Sequence, residues 1–150
     1  MEIYKARSII KGNDIYNSIK GKAYFYDTSK GVMVIIEVNG LPTFGGNCNN
    51  GIFALHIHEG GSCSGNENDM YANTMGHYNP DKCMHPYHAG DMPPLFESNG
   101  YAFMMYLTKR FKINDIIGRT IIIHSEPDDF RTQPSGNSGS KIACGVIERM

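Results

Sequence analysis

Short apolar runs rich in β-branched and aromatic residues come early and at regular intervals along this chain, which is the pattern of strands joined by turns. "EIYKARSII", "GKAYFYDT", "GVMVIIEVNG" and "GIFALHIH" follow one another, each bounded by Gly, Asn, Asp or Pro. "DTSKG", between the second and third, reads as a hairpin turn. After Glu59 the texture changes. Residues 60 to 100 are rich in Gly, Asn, Pro, Asp, His and Cys, with little periodicity. Loops of that length in a compact domain are usually functional or disordered. Strands resume with "GYAFMMYLT" and "GRTIIIH", and "KIACGVIE" closes the chain after a second polar loop over 125–140. "RFKINDIIG" supports one helical turn, and nothing longer reads as helix. The expectation is an all-β antiparallel sandwich or barrel carrying two long loops.

Composition narrows this further. The 150 residues are enough for one domain, 1–150, with a real core. Seventeen glycines, nine tyrosines and no tryptophan suit short strands and tight turns. A net charge of −1 offers no basic patch for nucleic acid or an anionic membrane. No apolar run is long enough to span a bilayer, and "EIYKARSIIKGN" after Met1 lacks the layout of a signal peptide. As written the chain reads as soluble and cytoplasmic, and a mature exported form would read the same. None of Cys48, Cys63, Cys83 and Cys144 forms a CxxC pair, so free thiols are the default for a reducing compartment.

The candidate chemistry lies in the histidines. All six, His56, His58, His77, His85, His88 and His124, fall in or beside short motifs. Side chains at i and i+2 on a strand share a face, about 6.6 Å apart along the chain. His56 and His58 can therefore converge on one ion, whereas on a helix they would diverge by about 200°. His124 closes the apolar strand "TIIIH" and can add a third nitrogen. In "HPYHAGD", His85, His88 and Asp91 are spaced three apart, and Pro86 and Gly90 make this a ligand-bearing loop. Imidazoles with one carboxylate suit zinc, and an all-nitrogen site suits copper or zinc. Six histidines and Asp91 make seven ligands where two four-coordinate ions need eight. One bridging imidazole would balance the count, and His77 in "GHYNP" is placed for it; an open three-ligand site also fits.

"ALHIHEGGSC", "GHYNP", "HPYHAGD", "DIIGRTIIIHSEPDD" and "GNSGSKIACGVI", in that order, resemble the copper–zinc superoxide dismutases. The resemblance implies an eight-stranded Greek-key β-barrel with a zinc loop and an electrostatic loop. It implies that His56, His58, His77 and His124 hold copper, and that His77, His85, His88 and Asp91 hold zinc, with His77 shared. Asp128 would be the carboxylate linking His56 to His85, and Cys63 would be bonded to Cys144. The implied activity is dismutation of superoxide to oxygen and hydrogen peroxide, with the copper redox-active, His77 carrying a proton and Lys141 guiding the anion. A homodimer is one assembly the family allows.

Departures from the family pattern are local. The zinc loop is short, with only "PY" between His85 and His88, and Lys141 stands where arginine is usual. The electrostatic loop is trimmed, with Arg131 its only other cation. "PTFGGNCNN" reads as an insertion carrying Cys48, which with Cys83 makes either two free thiols or a second disulfide. Met75, Met84 and Met92 flank the ligand motifs as gap-fillers or soft copper contacts. A non-catalytic copper-binding or copper-delivery module on the same barrel is the competing reading. A cupin or zinc hydrolase fits less well, because Glu59 follows the HxH pair directly and "HPYHAGD" would be left without a role.

Overall fold

The computed structural model describes residues 4–48 and 51–150. Glu2 and Ile3 of the first strand-like stretch, and Asn49 and Asn50 of the insertion, lie outside these residues. The strands are β1 (Ala6–Gly12), β2 (Lys20–Thr28), β3 (Gly31–Asn39), β4 (Ile52–Phe53), β5 (Leu55–His58), β6 (Leu95–Phe96), β7 (Ala102–Thr108), β8 (Thr120–His124) and β9 (Lys141–Arg149). Seven form one curled antiparallel sheet in the order β5-β8-β9-β1-β2-β3-β7, and β4 pairs with β6. The connections from β3 across to β5 and from β7 across to β8 are Greek-key crossovers, as anticipated for an all-β barrel. The one-turn helix α1 (Ile113–Ile116) falls inside "RFKINDIIG".

β1, β2 and β3 alternate between buried and exposed positions. Ala6, Ile10, Ala23, Phe25, Val34 and Ile36 point into the core, each fully buried. The β2–β3 hairpin closes with Thr28 paired to Gly31, whose φ of 138° is open only to glycine at this tight turn. Two features depart from the sequence pattern. "GIFALHIH" is broken at Ala54, so that its first half pairs with β6 and its second with β8. β6 falls within the stretch that carried no strand signal, because two residues are too few to display a period.

β5 and β8 are buried at every position. Leu55, Ile57, Ile121 and Ile123 face the barrel core. On the other face, His56, His58, Ile122 and His124 lie beneath the long loops. That explains how an apolar strand carries imidazoles at alternate positions: its second face is also dry, and there the imidazoles gather. β5 ends the sheet, and its free edge is covered by loop backbone. Tyr78 N–H donates to Ile57 O at 2.8 Å, and Ile57 N–H donates to Gly90 O at 2.8 Å. Blunting an edge strand in this way also fixes His77 opposite His58 and Asp91 opposite His56.

Candidate metal centre

The six histidines, scattered over 69 positions of the chain, form one cluster. His56, His58, His77 and His124 bring ligand nitrogens within 4.8 Å of one another, and so do His56, His77 and His85 with a carboxylate oxygen of Asp91. His88 adjoins the second group, with Nδ1 3.2 Å from His77 Nδ1 and 3.3 Å from Asp91 Oδ2. The structure thus brings together every histidine singled out from the sequence, and Asp91 with them.

His56, His58 and His85 each have one nitrogen engaged by a group outside the cluster. His56 Nε2 lies 2.7 Å from Asp128 Oδ2, and His85 Nε2 lies 2.8 Å from Asp128 Oδ1, so a single carboxylate ties the two rings. His58 Nδ1 donates to Met75 O at 2.8 Å. His56 Nδ1, His77 Nε2, His85 Nδ1 and His124 Nδ1 are buried with no hydrogen-bond partner. His58 Nε2 and His124 Nε2 face each other at 3.3 Å. Lone pairs crowded together in a dry site are costly unless something positive sits among them. An inward-turned set of imidazole nitrogens on one side, and imidazoles with a carboxylate on the other, fits two transition-metal ions.

Electrostatics agree with ligand chemistry. Burial, with neighbouring rings adding to it, holds His58 and His124 well below the usual imidazole range, and burial also lowers His56. These rings are neutral, the form that binds a metal. Burial alone would raise Asp91, but His77 and the other rings reverse this and lower it. The same contest at Asp128 ends lower still: hydrogen bonds from His56, His85 and the Phe130 N–H overcome burial and hold it at about 2. Both carboxylates are therefore ionised.

Three supporting residues were not singled out for the site from the sequence, although Gly136 opens the motif "GNSGSKIACGVI". Gln133 clamps His85 from both sides, its Oε1 accepting from His85 N–H at 2.8 Å and its amide donating to His85 O at 2.7 Å. Arg110 donates to Pro86 O at 2.7 Å and to His88 O at 3.2 Å, bracing the loop between them. Gly136 sits against the carboxylate bridge, where a Cβ would come 2.0 Å from Asp128 Oδ1 and 2.6 Å from His85 Nε2.

His58, His77, His88 and His124 open onto a cavity of about 430 Å³. Lys141 lines it from the start of β9. Cys63 and Cys144 are bonded, closing a separation of 81 residues and tying the loop after β5 to β9. Cys48 and Cys83 are both exposed and unbonded, so the second disulfide is not formed.

Residues 19–147 match the family described as "Copper/zinc superoxide dismutase (SODC)". The chain belongs to that family. The match begins at β2, so β1 lies ahead of it. The copper/zinc superoxide dismutase 2 of Aquifex aeolicus is 34% identical over 142 residues, covering 85% of this chain and 78% of that one. A copper/zinc superoxide dismutase of Legionella pneumophila is 35% identical over 136 residues, covering 85% and 77%. The human copper chaperone for superoxide dismutase is 32% identical over 113 residues, but this covers 66% of this chain and 39% of the chaperone. A crystal structure of a double mutant of a superoxide-dismutase-like protein from Bacillus subtilis superposes with a TM-score of 0.79 at 26% identity, covering 98% and 99% of the two chains. Copper and zinc are the metals of this family. Among the described residues, no helix is long and apolar enough to cross a membrane.

Proposed function

We propose that this chain dismutes superoxide at a paired centre in which His56, His58, His77 and His124 hold copper and His77, His85, His88 and Asp91 hold zinc. One superoxide is oxidised to oxygen, and a second, reduced with uptake of two protons, becomes hydrogen peroxide. The copper supplies the one-electron exchange that both half-reactions need. The protein residues supply the remainder. Asp128 fixes the tautomers of His56 and His85, leaving Nδ1 of each free to bind. His77 is the proton carrier: Nδ1 is engaged on the Asp91 side, 2.8 Å from its Oδ1, while Nε2 is buried without a partner and can take up or release a proton. Lys141 places a positive charge at the mouth of the cavity, raising the local concentration of a small anion.

The observation that carries this reading is that His77 belongs to both groups of ligand atoms, with its Nδ1 on Asp91 and its Nε2 buried without a partner. A shared ring makes the two sites interdependent. His77→Ala should lose both metals and all dismutase activity, whereas Asp91→Ala should mainly weaken zinc. Elemental analysis of the purified variants decides it. Unchanged copper and zinc in His77→Ala would refute the bridge. The complete ligand set, with Lys141 at the mouth, supports catalysis over copper delivery, and the chaperone likeness is confined to a minor part of that protein. The disulfide is compatible with an exported form as well as with a reducing compartment.

A further inference from the structure

Lys141 is not a free cation at the cavity mouth. Its Nζ donates to Asp69 Oδ2 at 2.9 Å and to Tyr71 O at 3.2 Å. Asp69 is itself held in place. Its Oδ1 accepts from Tyr71 N–H at 2.9 Å, its backbone N–H donates to Asn66 Oδ1 at 3.1 Å, and its carbonyl takes the N–H groups of Asn66 and Ala72. The loop that carries it is fastened by the Cys63–Cys144 bond, and Tyr71 packs on Ile122 and Cys144. Lys141 shows 18% of its side chain to solvent against 42% for Asp69, so the ammonium is the more enclosed partner.

An ammonium on a four-carbon stem has no fixed direction of its own, unlike the planar fork of arginine. Something must orient it. Resting on the reading of Lys141 given above, we propose that Asp69 is a positioning residue that pins Lys141 at the cavity mouth and partly neutralises it. An incoming small anion therefore meets an ion pair rather than a lone charge. Anion capture is correspondingly weaker, and less sensitive to salt, than an unpaired lysine would make it.

Asp69→Asn isolates the effect. Asparagine keeps an oxygen for Tyr71 N–H but presents an N–H₂ to Lys141, removing both the charge and the acceptor. Azide is a suitable probe, titrated against the copper- and zinc-loaded protein and followed by its optical spectrum. Asp69→Asn should bind azide about two- to fivefold more tightly at low ionic strength, with a steeper loss of affinity as salt is added. In a Lys141→Met background the same change should give no gain. The contact itself is read in metal-free protein by ¹⁵N NMR of lysine ammonium groups: the slowly exchanging Lys141 signal of the parent should be lost in Asp69→Asn. Asp69→Ser, which keeps a turn acceptor, stands in if the asparagine variant does not fold. Azide affinity equal to or below that of the parent, or a gain that persists without Lys141, overturns the proposal. Absence of dismutase activity in the loaded parent would instead count against the proposed function, and the NMR result would stand apart from it.

Discussion

Nε2 of His58 and Nε2 of His124 face each other at 3.3 Å in the interior, close enough to share one proton and too close for both rings to be charged. Burial already holds both well below 6.5 and lowers His56 too. In metal-free protein the unfolded chain takes up protons at these positions as pH falls below 6.5, while the folded chain resists. Stability is therefore held above pH 6.5 and declines as pH drops from there. Denaturant midpoints of metal-free protein between pH 8 and 5 should show that fall. A flat or rising midpoint would contradict it.

Gly136 has φ 74° and lies against Asp128 and His85. Gly136→Ala adds a methyl group where the carboxylate bridge stands, and does so at a backbone angle alanine resists. We expect about a 10- to 100-fold loss of metal affinity, the range for disturbed supports of ligating histidines. Competition with a chelator measures it, and an unaltered affinity would show that the bridge can move aside.

The Cys63–Cys144 bond closes 81 residues, which in the chain-entropy view stabilises the fold by about 4.5 kcal/mol. Reduction, or Cys63→Ser with Cys144→Ser, should lower the unfolding free energy by something near that amount. Thiol titration of denatured, unreduced protein should find two reactive groups, Cys48 and Cys83. A count of four would rule out the bond.

Reversing the charge at Lys141 sets a carboxylate beside Asp69 at the cavity mouth. Lys141→Glu should cut the dismutation rate tenfold or more at low salt, with the deficit shrinking as salt screens the field. Lys141→Arg retains the charge and a carboxylate partner, and should preserve or raise the rate. Full activity in the glutamate variant with both metals bound would remove Lys141 from any guiding role.

The pairing of candidate ligands was legible because it is local. His56 and His58 share a face by the two-residue period of a strand, and "HPYHAGD" declares its own spacing. The hairpin at Thr28–Gly31 and the alternation of β1 to β3 follow from the same short-range rules. The sharing of His77 was suggested by a count of ligands, and the fold places that ring in both candidate groups, with Nδ1 on Asp91.

What the local pattern could not carry is anything set by chain segments meeting from afar. The strand break at Ala54 depends on Phe53 and Leu55 having different partners, β6 and β8. Asp69 reaches Lys141 across 72 residues, and Gln133 reaches His85 across 48. Their side chains carry no periodicity, and a lone Asp or Gln in a polar loop looks like any other solvated residue. By itself the sequence determined which residues could be ligands and on which strand faces they stand, since covalent geometry repeats that pattern at every turn of the chain. Which nitrogen of each ring turns inward, and which charge restrains Lys141, was decided only when the sheet curled and the loops closed over β5, because those contacts exist only in the folded packing.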